Sequence, residues 1–203
     1  QAEHIPLHLG LMVSVVKKTL EHFPVEQLEP GDAVITNDPY ISGSHLPDIC
    51  MLTPVFAEGR CIALLANLAH HVDVGGMTPG SMPTISTEIF QEGLRIPPIK
   101  LRRRGQVDET IMALIAHNVR TRHETYGDFQ AQMAANNVGE RRMGEIVSKH
   151  GPEETRFYME EIINYAERRM RSRIRELPRG VFSFEDFLEG DGLSEDLMKI
   201  AVT

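Results

Sequence analysis

Two neighbouring apolar segments constrain the fold of this chain most strongly. They cover residues 49–56 and 61–69, and only four residues, one of them a glycine, separate them. Two short apolar runs around such a turn predict a β-hairpin. Polar residues precede the first run, at 37–48, and follow the second, at 70–76. Because both ends of a hairpin lie side by side, these polar clusters should meet at its open end.

The length of the turn decides which histidine shares a face of the sheet with Asp48. Side chains alternate between the two faces of a strand, so a shift of one residue exchanges the faces. A three-residue loop places His70 on the same face as Asp48. A two-residue loop of Glu58 and Gly59 instead places His71 there. Both registers are compatible with the sequence, and each brings one histidine to Asp48.

His45, Asp48 and one of these histidines form a ligand set typical of a divalent transition metal. Imidazole suits zinc, iron or nickel, and a carboxylate extends the choice to manganese. Three protein ligands leave coordination positions open, as a catalytic metal requires. The alternative interpretation is structural: polar residues at strand ends that cap turns and bind no metal.

Other polar residues of the two clusters are candidates for contact with substrate. Asp73 is a candidate to orient a ligand histidine, to be a fourth ligand or to act as a general base. Gly75 and Gly76 permit positive φ and close approach of the backbone, which suits an anionic group. Asn37 and Asp38 precede a proline and are typical of a tight turn, so a structural role is at least as well supported as a contact with substrate.

Two further pairs have the spacing of one helical turn. Glu88 and Glu92 lie in a proline-rich segment that resembles an ordered functional loop, where they either line a site or face solvent. His4 and His8 lie at the start of a predicted helix, where they are ligands, substrate contacts, or surface and capping residues.

Composition narrows the classes of protein. The net charge of −8 over 203 residues argues against a nucleic-acid-binding surface. The only two cysteines, Cys50 and Cys61, lie in apolar runs without facing each other, which fits reduced thiols in the cytosol. No apolar run is long enough to cross a membrane, and no signal peptide is recognisable. We therefore expect a cytoplasmic protein without nucleic-acid or membrane partners.

The overall pattern predicts a mixed α+β fold. Asp108 and Asp128 are predicted N-caps of two helices, and the Gly-Pro-Glu-Glu sequence at 151–154 begins a third. The chain starts without methionine and stops within a predicted strand, so we expect a fragment of a longer chain. The predicted portions are residues 1–105, with a helix over 5–23 and the hairpin that carries the site; residues 106–178, a helical bundle; and residues 179–203, the truncated start of a further β portion.

Several strings closely resemble the hydantoinase B/oxoprolinase family and occur in the family's order. They are residues 37–48, 69–76, 79–82, 88–98 and 127–132. In the carboxylase branch of that family, a His-x-x-Asp pair and a downstream histidine hold manganese. The resemblance therefore implies His45, Asp48 and His70 as metal ligands, which is also the set that a three-residue turn gives.

The resemblance also implies a function. The family includes one subunit of ATP-dependent hydantoinases and lactamases, part of 5-oxoprolinase, and the metal-bearing subunit of acetone-type carboxylases. This chain has no Walker-type loop and no dinucleotide fingerprint, so ATP is expected to bind a hydantoinase A-like partner subunit in a hetero-oligomer. The expected reaction is hydrolysis of a small cyclic amide such as a hydantoin, lactam or 5-oxoproline. The alternatives are a subunit of an acetone- or acetophenone-type carboxylase and a metal-free structural subunit.

The candidate residues are, as ligands of a divalent manganese, zinc or iron ion, His45, Asp48 and His70; as catalytic residues, His71 and Asp73; and as substrate-binding residues, Asn37, Asp38, Tyr40, Gly75, Gly76 and Glu92.

Overall fold

The fold is organised by an antiparallel sheet of five strands in the order β3-β2-β1-β4-β5. The computed structural model describes residues 7–191 and 194–203. The helices are α1 (Leu7–His22), α2 (Pro39–Ser42), α3 (Glu109–His117), α4 (Arg122–His150) and α5 (Pro152–Glu176), with short 3-10 turns at Val25–Gln27 and Ile89–Gln91. The strands are β1 (Ala33–Thr36), β2 (Asp48–Ala57), β3 (Arg60–His70), β4 (Ile99–Arg103), β5 (Gln106–Val107), β6 (Phe184–Leu188) and β7 (Met198–Val202). The fold is thus mixed α+β, as the sequence predicts.

Both faces of the central strands are covered, which explains why their sequences are apolar without alternation. On one face, Ile35 of β1 belongs to the main core together with Phe129 and Met133 of α4. On the other face, Val34 packs in a smaller cluster that includes Leu20 of α1. The central strands are therefore packed against helices on both faces.

The predicted hairpin is confirmed, but its register has an extra feature. Ala57 pairs with Arg60 around a two-residue turn in which Glu58 and Gly59 both have positive φ, 50° and 76°. This is the two-residue turn geometry that suits the twist of a hairpin. A β-bulge then shifts the pairing by one residue, because Phe56 pairs with Cys61 whereas Val55 pairs with Ala63.

The bulge determines which histidine meets Asp48. A two-residue turn alone would place His71 on the same face as Asp48. The extra residue, Ile62, moves the rest of β3 by one position, so that Asp48 at the start of β2 pairs directly with His70 at the end of β3. His70 is therefore the partner of Asp48, although the turn is not the three-residue loop that also predicted it.

The helical half follows the prediction with one clear correction. Asp108 caps α3 as predicted, accepting hydrogen bonds from the backbone N–H groups of Thr110 and Ile111. Asp128, in contrast, is not an N-cap, because α4 already begins at Arg122. Thr125 is buried one turn before Phe129, so the core-facing stripe of α4 starts earlier than its apolar residues indicate.

The ends of the described chain are more exposed. All residues of β6 and β7, within the predicted β portion at 179–203, are exposed. Tyr158 and Ile162 of α5 are also exposed, at 55% and 66%.

In the described residues, no helix is both long and apolar enough to cross a membrane. The division at residues 105 and 178 stays a prediction.

Candidate metal centre

The open end of the hairpin brings His45, Asp48 and His70 together. α2 ends at Gly43, which adopts the left-handed conformation with φ 70° and turns the chain towards β2. The connecting loop is anchored by Leu46, whose side chain is fully buried in the main core. This anchor fixes His45 one turn before Asp48, while β3 delivers His70 from the other side.

Two imidazoles surround one buried carboxylate. His70 Nδ1 lies 2.7 Å from Asp48 Oδ1, and His45 Nδ1 lies 3.0 Å from Asp48 Oδ2. The Asp48 side chain is inaccessible to solvent, whereas those of His45 and His70 are 55% and 47% exposed. The two rings are arranged edge to face, with centroids 6.1 Å apart. The result is a carboxylate at the bottom of a site that opens to solvent between two histidines.

The geometry and chemistry of this triad fit a divalent ion. One ligand atom from each residue lies within 4.8 Å of the other two. Ligand atoms that bind one ion at their usual distances lie no more than about 4.4 Å apart, so only a slight closure of the triad is required. Within residues 7–191 and 194–203, this is the one group of three or more His, Cys, Asp or Glu side chains with such a span.

Asp48 supplies negative charge to the site. Burial alone would raise the pKa of its carboxyl group, but hydrogen bonds from Ser44, from His70 and from the His45 backbone outweigh it and hold that pKa below its ordinary value. Asp48 is therefore ionised at neutral pH. A buried anion flanked by two imidazoles favours a cation over a neutral or anionic ligand.

A cleft of about 460 Å³ lies beside His45. Its lining residues are Pro39, Tyr40, Ser44, His45, Ser86, Thr87, Glu88, Ile89 and Glu92. Of the predicted substrate-binding residues, Tyr40 and Glu92 lie here. The Tyr40 side chain is highly exposed, and the Glu92 carboxylate accepts a hydrogen bond of 3.3 Å from Ser86.

The structure does not bring His71 to the triad. Its side chain is fully buried against Phe129 of α4, with ring centroids 4.8 Å apart. Its Nε2–H donates to Gln132 Oε1 at 3.1 Å. Burial lowers the pKa of His71 below its ordinary value, with partial compensation from Gln132 and Asp128. These contacts give His71 a structural role between the hairpin and α4.

Asp73 also has structural partners. Its carboxylate accepts hydrogen bonds from the backbone N–H groups of Gly75, Gly80 and Arg120, and from Arg120 Nη1 at 2.9 Å. Burial opposes ionisation, but these donors outweigh it and keep the pKa of Asp73 below its ordinary value. The Arg120 guanidinium also donates to the carbonyl groups of Gly75, Gly76 and Thr78. Asp73 and Arg120 together fasten the loop that follows β3.

The two glycines after Asp73 serve backbone packing. Gly75 and Gly76 have positive φ, 93° and 81°. A Cβ atom at Gly75 would lie 2.6 Å from the Asn118 carbonyl oxygen, and one at Gly76 would lie 2.5 Å from the Gln91 carbonyl oxygen. The space beside both glycines is thus filled by the protein's own backbone rather than open to an anion.

Asn37 and Asp38 likewise hold the chain in place. The Asn37 side chain is fully buried, donates to the carbonyls of Leu46 and Leu94, and accepts from the Ile96 backbone N–H. It therefore ties the loop that carries His45 to the segment before β4. Asp38 caps α2 by accepting a hydrogen bond from the Tyr40 backbone N–H at 3.0 Å.

Two residues of the site were incompletely predicted from the sequence. Ser44, which was not among the predicted site residues, donates a hydrogen bond to Asp48 Oδ2. His8 was one of several open candidates, and its Nε2 lies 3.4 Å from the same oxygen. The signal for His8 is its helical spacing from Leu11 and Val15, which are partly and fully buried. His4 lies outside the described residues.

Comparison with known proteins agrees with this fold. Residues 1–203 match the model of the Hydantoinase B/oxoprolinase family. The chain therefore belongs to that family.

Individual relatives are considerably longer. The chain is 41% identical to an uncharacterized protein of Methanocaldococcus jannaschii over 100% of its own length and 36% of the relative's. It is 37% identical to the beta subunit of the caprolactamase of Pseudomonas jessenii, over 96% of this chain and 34% of that relative. The crystal structure of the ATP-dependent caprolactamase from Pseudomonas jessenii superimposes with a TM-score of 0.83 at 35% identity, covering 90% of this chain and 31% of that one. The chain thus spans about a third of the length of these relatives.

Proposed function

We propose that this chain is the metal-binding part of the catalytic subunit of an ATP-dependent cyclic-amide hydrolase. The observation that carries the proposal is the convergence of a buried, ionised Asp48 with two half-exposed histidines beside an open cleft. The names of relatives support the class of substrate, because they include a caprolactamase, a putative hydantoinase and 5-oxoprolinases.

His45, Asp48 and His70 would hold a divalent ion, with zinc, manganese and iron as candidates. When bound, such an ion supplies Lewis acidity, which polarises a carbonyl oxygen and lowers the pKa of a nearby water molecule. The protein's own contribution is to keep Asp48 ionised and its two histidines at fixed positions. Leu46, Asn37 and the β-bulge provide that rigidity.

The cleft beside His45 would receive the cyclic amide. The exposed ring of Tyr40 offers a flat apolar surface for the methylene groups of a lactam or hydantoin ring. The carboxylate of Glu92 can accept a hydrogen bond from the amide N–H, because carboxylates are acceptors when ionised. His71 and Asp73 take no direct part, since both are engaged in structural contacts.

ATP would be used by a partner of the hydantoinase A type in a hetero-oligomer. The names of two relatives, the caprolactamase and the hydantoinase, describe each as one subunit of its enzyme, which supports an assembly of unlike subunits. Phosphorylation of the amide oxygen by that partner would make the ring easier to open.

The test measures metal content and product in the intact protein with its ATP-using partner. His45→Ala and Asp48→Ala should lose the bound ion and abolish ring-opened product, whereas the partner should still bind nucleotide. His22→Ala is the matched control, because His22 is exposed at the end of α1 and touches none of the triad. Full activity with unchanged metal in both site variants would overturn the proposal. Carboxylation of a ketone with bicarbonate, without hydrolysis of any cyclic amide, would favour the carboxylase alternative.

A further inference from the structure

His8 is directed at the candidate metal centre by the packing of α1. Its position falls on the core-facing stripe of that helix, in register with Val15 and Thr19, which are both buried. Leu11, on the same stripe, packs closely on Gly43. A Cβ atom added at Gly43 would lie 3.2 Å from Leu11 Cδ2. The side chain of His8 is only 17% exposed, in contrast to the half-exposed histidines of the triad.

A second contact fixes α1 over the loop that carries the site. Lys18 Nζ donates a hydrogen bond of 2.7 Å to the carbonyl oxygen of Tyr40 in α2. α1 thus contacts both Tyr40 of α2 and Gly43, the residue that follows α2. His8 therefore reaches the site from a rigid element.

The hydrogen bonds around Ser44 define what His8 can do. Ser44 donates its only hydroxyl proton to Asp48 Oδ2, so towards His8 Nε2, 3.3 Å away, its oxygen can only accept. His8 Nε2 must therefore carry a proton. The same Nε2 lies 3.4 Å from Asp48 Oδ2. A protonated nitrogen has no free lone pair for a metal, so in this arrangement His8 Nε2 is a donor towards the ligand carboxylate and does not bind the ion.

We propose that His8 is a positioning residue that fixes the Asp48 carboxylate through Ser44 and thereby strengthens metal binding. The inference rests on the proposed metal site. Ser44 and His8 join the His45 backbone N–H around one carboxylate oxygen, Asp48 Oδ2, and so further restrict rotation of the carboxylate about its last torsion. Partners that orient a ligating carboxylate in this way typically contribute about 10–100-fold to metal affinity.

The experiment measures the dissociation constants of zinc and manganese in the intact protein, by competition with a chelating indicator, for two variants of similar size. His8→Gln retains an N–H donor at the position of Nε2, and His8→Leu fills the space without one. We expect His8→Leu to bind both metals about 10–100-fold more weakly and His8→Gln to bind nearly as well as the parent. His22→Ala on the same helix should leave affinity unchanged.

A double substitution separates positioning from packing. Because His8 and Ser44 act on the same oxygen, the combination of His8→Leu with Ser44→Ala should weaken metal binding less than the product of the two single effects. Melting of the metal-free protein should be similar for His8→Leu and His8→Gln, since the two side chains occupy similar volumes. Equal metal affinity of His8→Leu and the parent would overturn the inference, as would equally weak binding by His8→Gln and His8→Leu.

The parallel variant His45→Ala distinguishes the two proposals. If His45→Ala retains the metal, the proposed site itself is wrong. If His45→Ala loses the metal while His8→Leu binds it like the parent, the triad stands and only the role of His8 is wrong.

Discussion

Substitution of Gly76 should be far more damaging than substitution of a glycine with the same backbone conformation elsewhere. Gly76 has φ 81° and Gly59, in the hairpin turn, has φ 76°. A Cβ at Gly76 would meet the backbone of Gln91 and Glu92 at 2.5–2.7 Å, whereas one at Gly59 would have nothing within 4 Å. The pair therefore separates the strain of positive φ from the close approach of two backbone segments.

The expected magnitudes follow from these contacts. In both variants an alanine in the left-handed region costs about 1 kcal/mol. In Gly76→Ala the facing segment must also move, which costs about 1–3 kcal/mol by analogy with overpacked cores. That movement lengthens the 2.7 Å hydrogen bond from the Met77 backbone N–H to the Gln91 carbonyl, which contributes about 1 kcal/mol more. We expect about 1 kcal/mol for Gly59→Ala and about 3–5 kcal/mol for Gly76→Ala.

Urea unfolding of the intact protein, followed by circular dichroism, measures both values. The free energy of unfolding should fall with an unchanged denaturant dependence, which would indicate that the denatured state is unaffected. If Gly76 instead cradles an anionic group, as the sequence also allowed, both alanine variants should lose about the same stability and only ligand binding should differ. A difference in stability below about 1 kcal/mol would refute the close-packing argument.

Three further predictions concern groups away from the triad. Arg120→Ala should lower the free energy of unfolding by about 2 kcal/mol, because buried Asp73 loses a charged donor. The control Arg142→Ala, which removes an exposed ion pair, should lower it by less than about 0.5 kcal/mol. Urea titration measures both values, and equal losses of stability would contradict the argument. The pKa of Asp73 is lowered from 3.8 in the folded state, so its contribution to stability is present above pH 3.8 and is lost as the pH falls through the folded-state pKa. Asp73→Asn should therefore make the free energy of unfolding depend less on pH in this acid range. An unchanged pH dependence in the variant would contradict the prediction. Burial raises the pKa of Cys50 to about 12, so peptide mapping after brief alkylation of the native protein should find Cys50 unmodified and any label on the less buried Cys61, and rapid labelling of Cys50 would be inconsistent with this structure.

The sequence predicted the elements of the site better than their connections. The hairpin was predictable because two apolar runs around a short turn have few other ways to be buried. The N-cap role of Asp108 was predictable because it depends on residues within one turn. The prediction that Asp128 is an N-cap was wrong, because aspartate also occurs within helices. The helix α4 begins earlier, at Arg122, and its buried face already includes the polar residue Thr125.

The roles of individual polar residues were less predictable, because they depend on partners far away in the sequence. Asp73 looks like a catalytic acid or base until its partner Arg120, 47 residues later, is placed beside it. Asn37 looks like a turn residue or a substrate contact until it is seen to bridge carbonyls 9 and 57 residues away. Polarity in a sequence does not reveal whether a group is satisfied internally or left available to a ligand.

The β-bulge shows how the core and the site depend on each other. Without Ile62 as an extra residue, the two-residue turn would put His71 beside Asp48 and rotate His70 towards the core. The observed register instead buries His71 against Phe129 and Gln132 of α4.

Gln132 reinforces this choice, because its amide donates both to the Ile49 carbonyl on β2 and to Asn67 on β3, and so clamps the two strands in one alignment. A slip of one residue would break that clamp and leave the polar Gln132 amide without partners in the core, at a cost of about 1–3 kcal/mol for each unsatisfied group. Contacts on the α4 side of the sheet therefore select the histidine that is presented to Asp48. The identity of the third candidate ligand, His70, is thus fixed by buried contacts that do not themselves touch the triad.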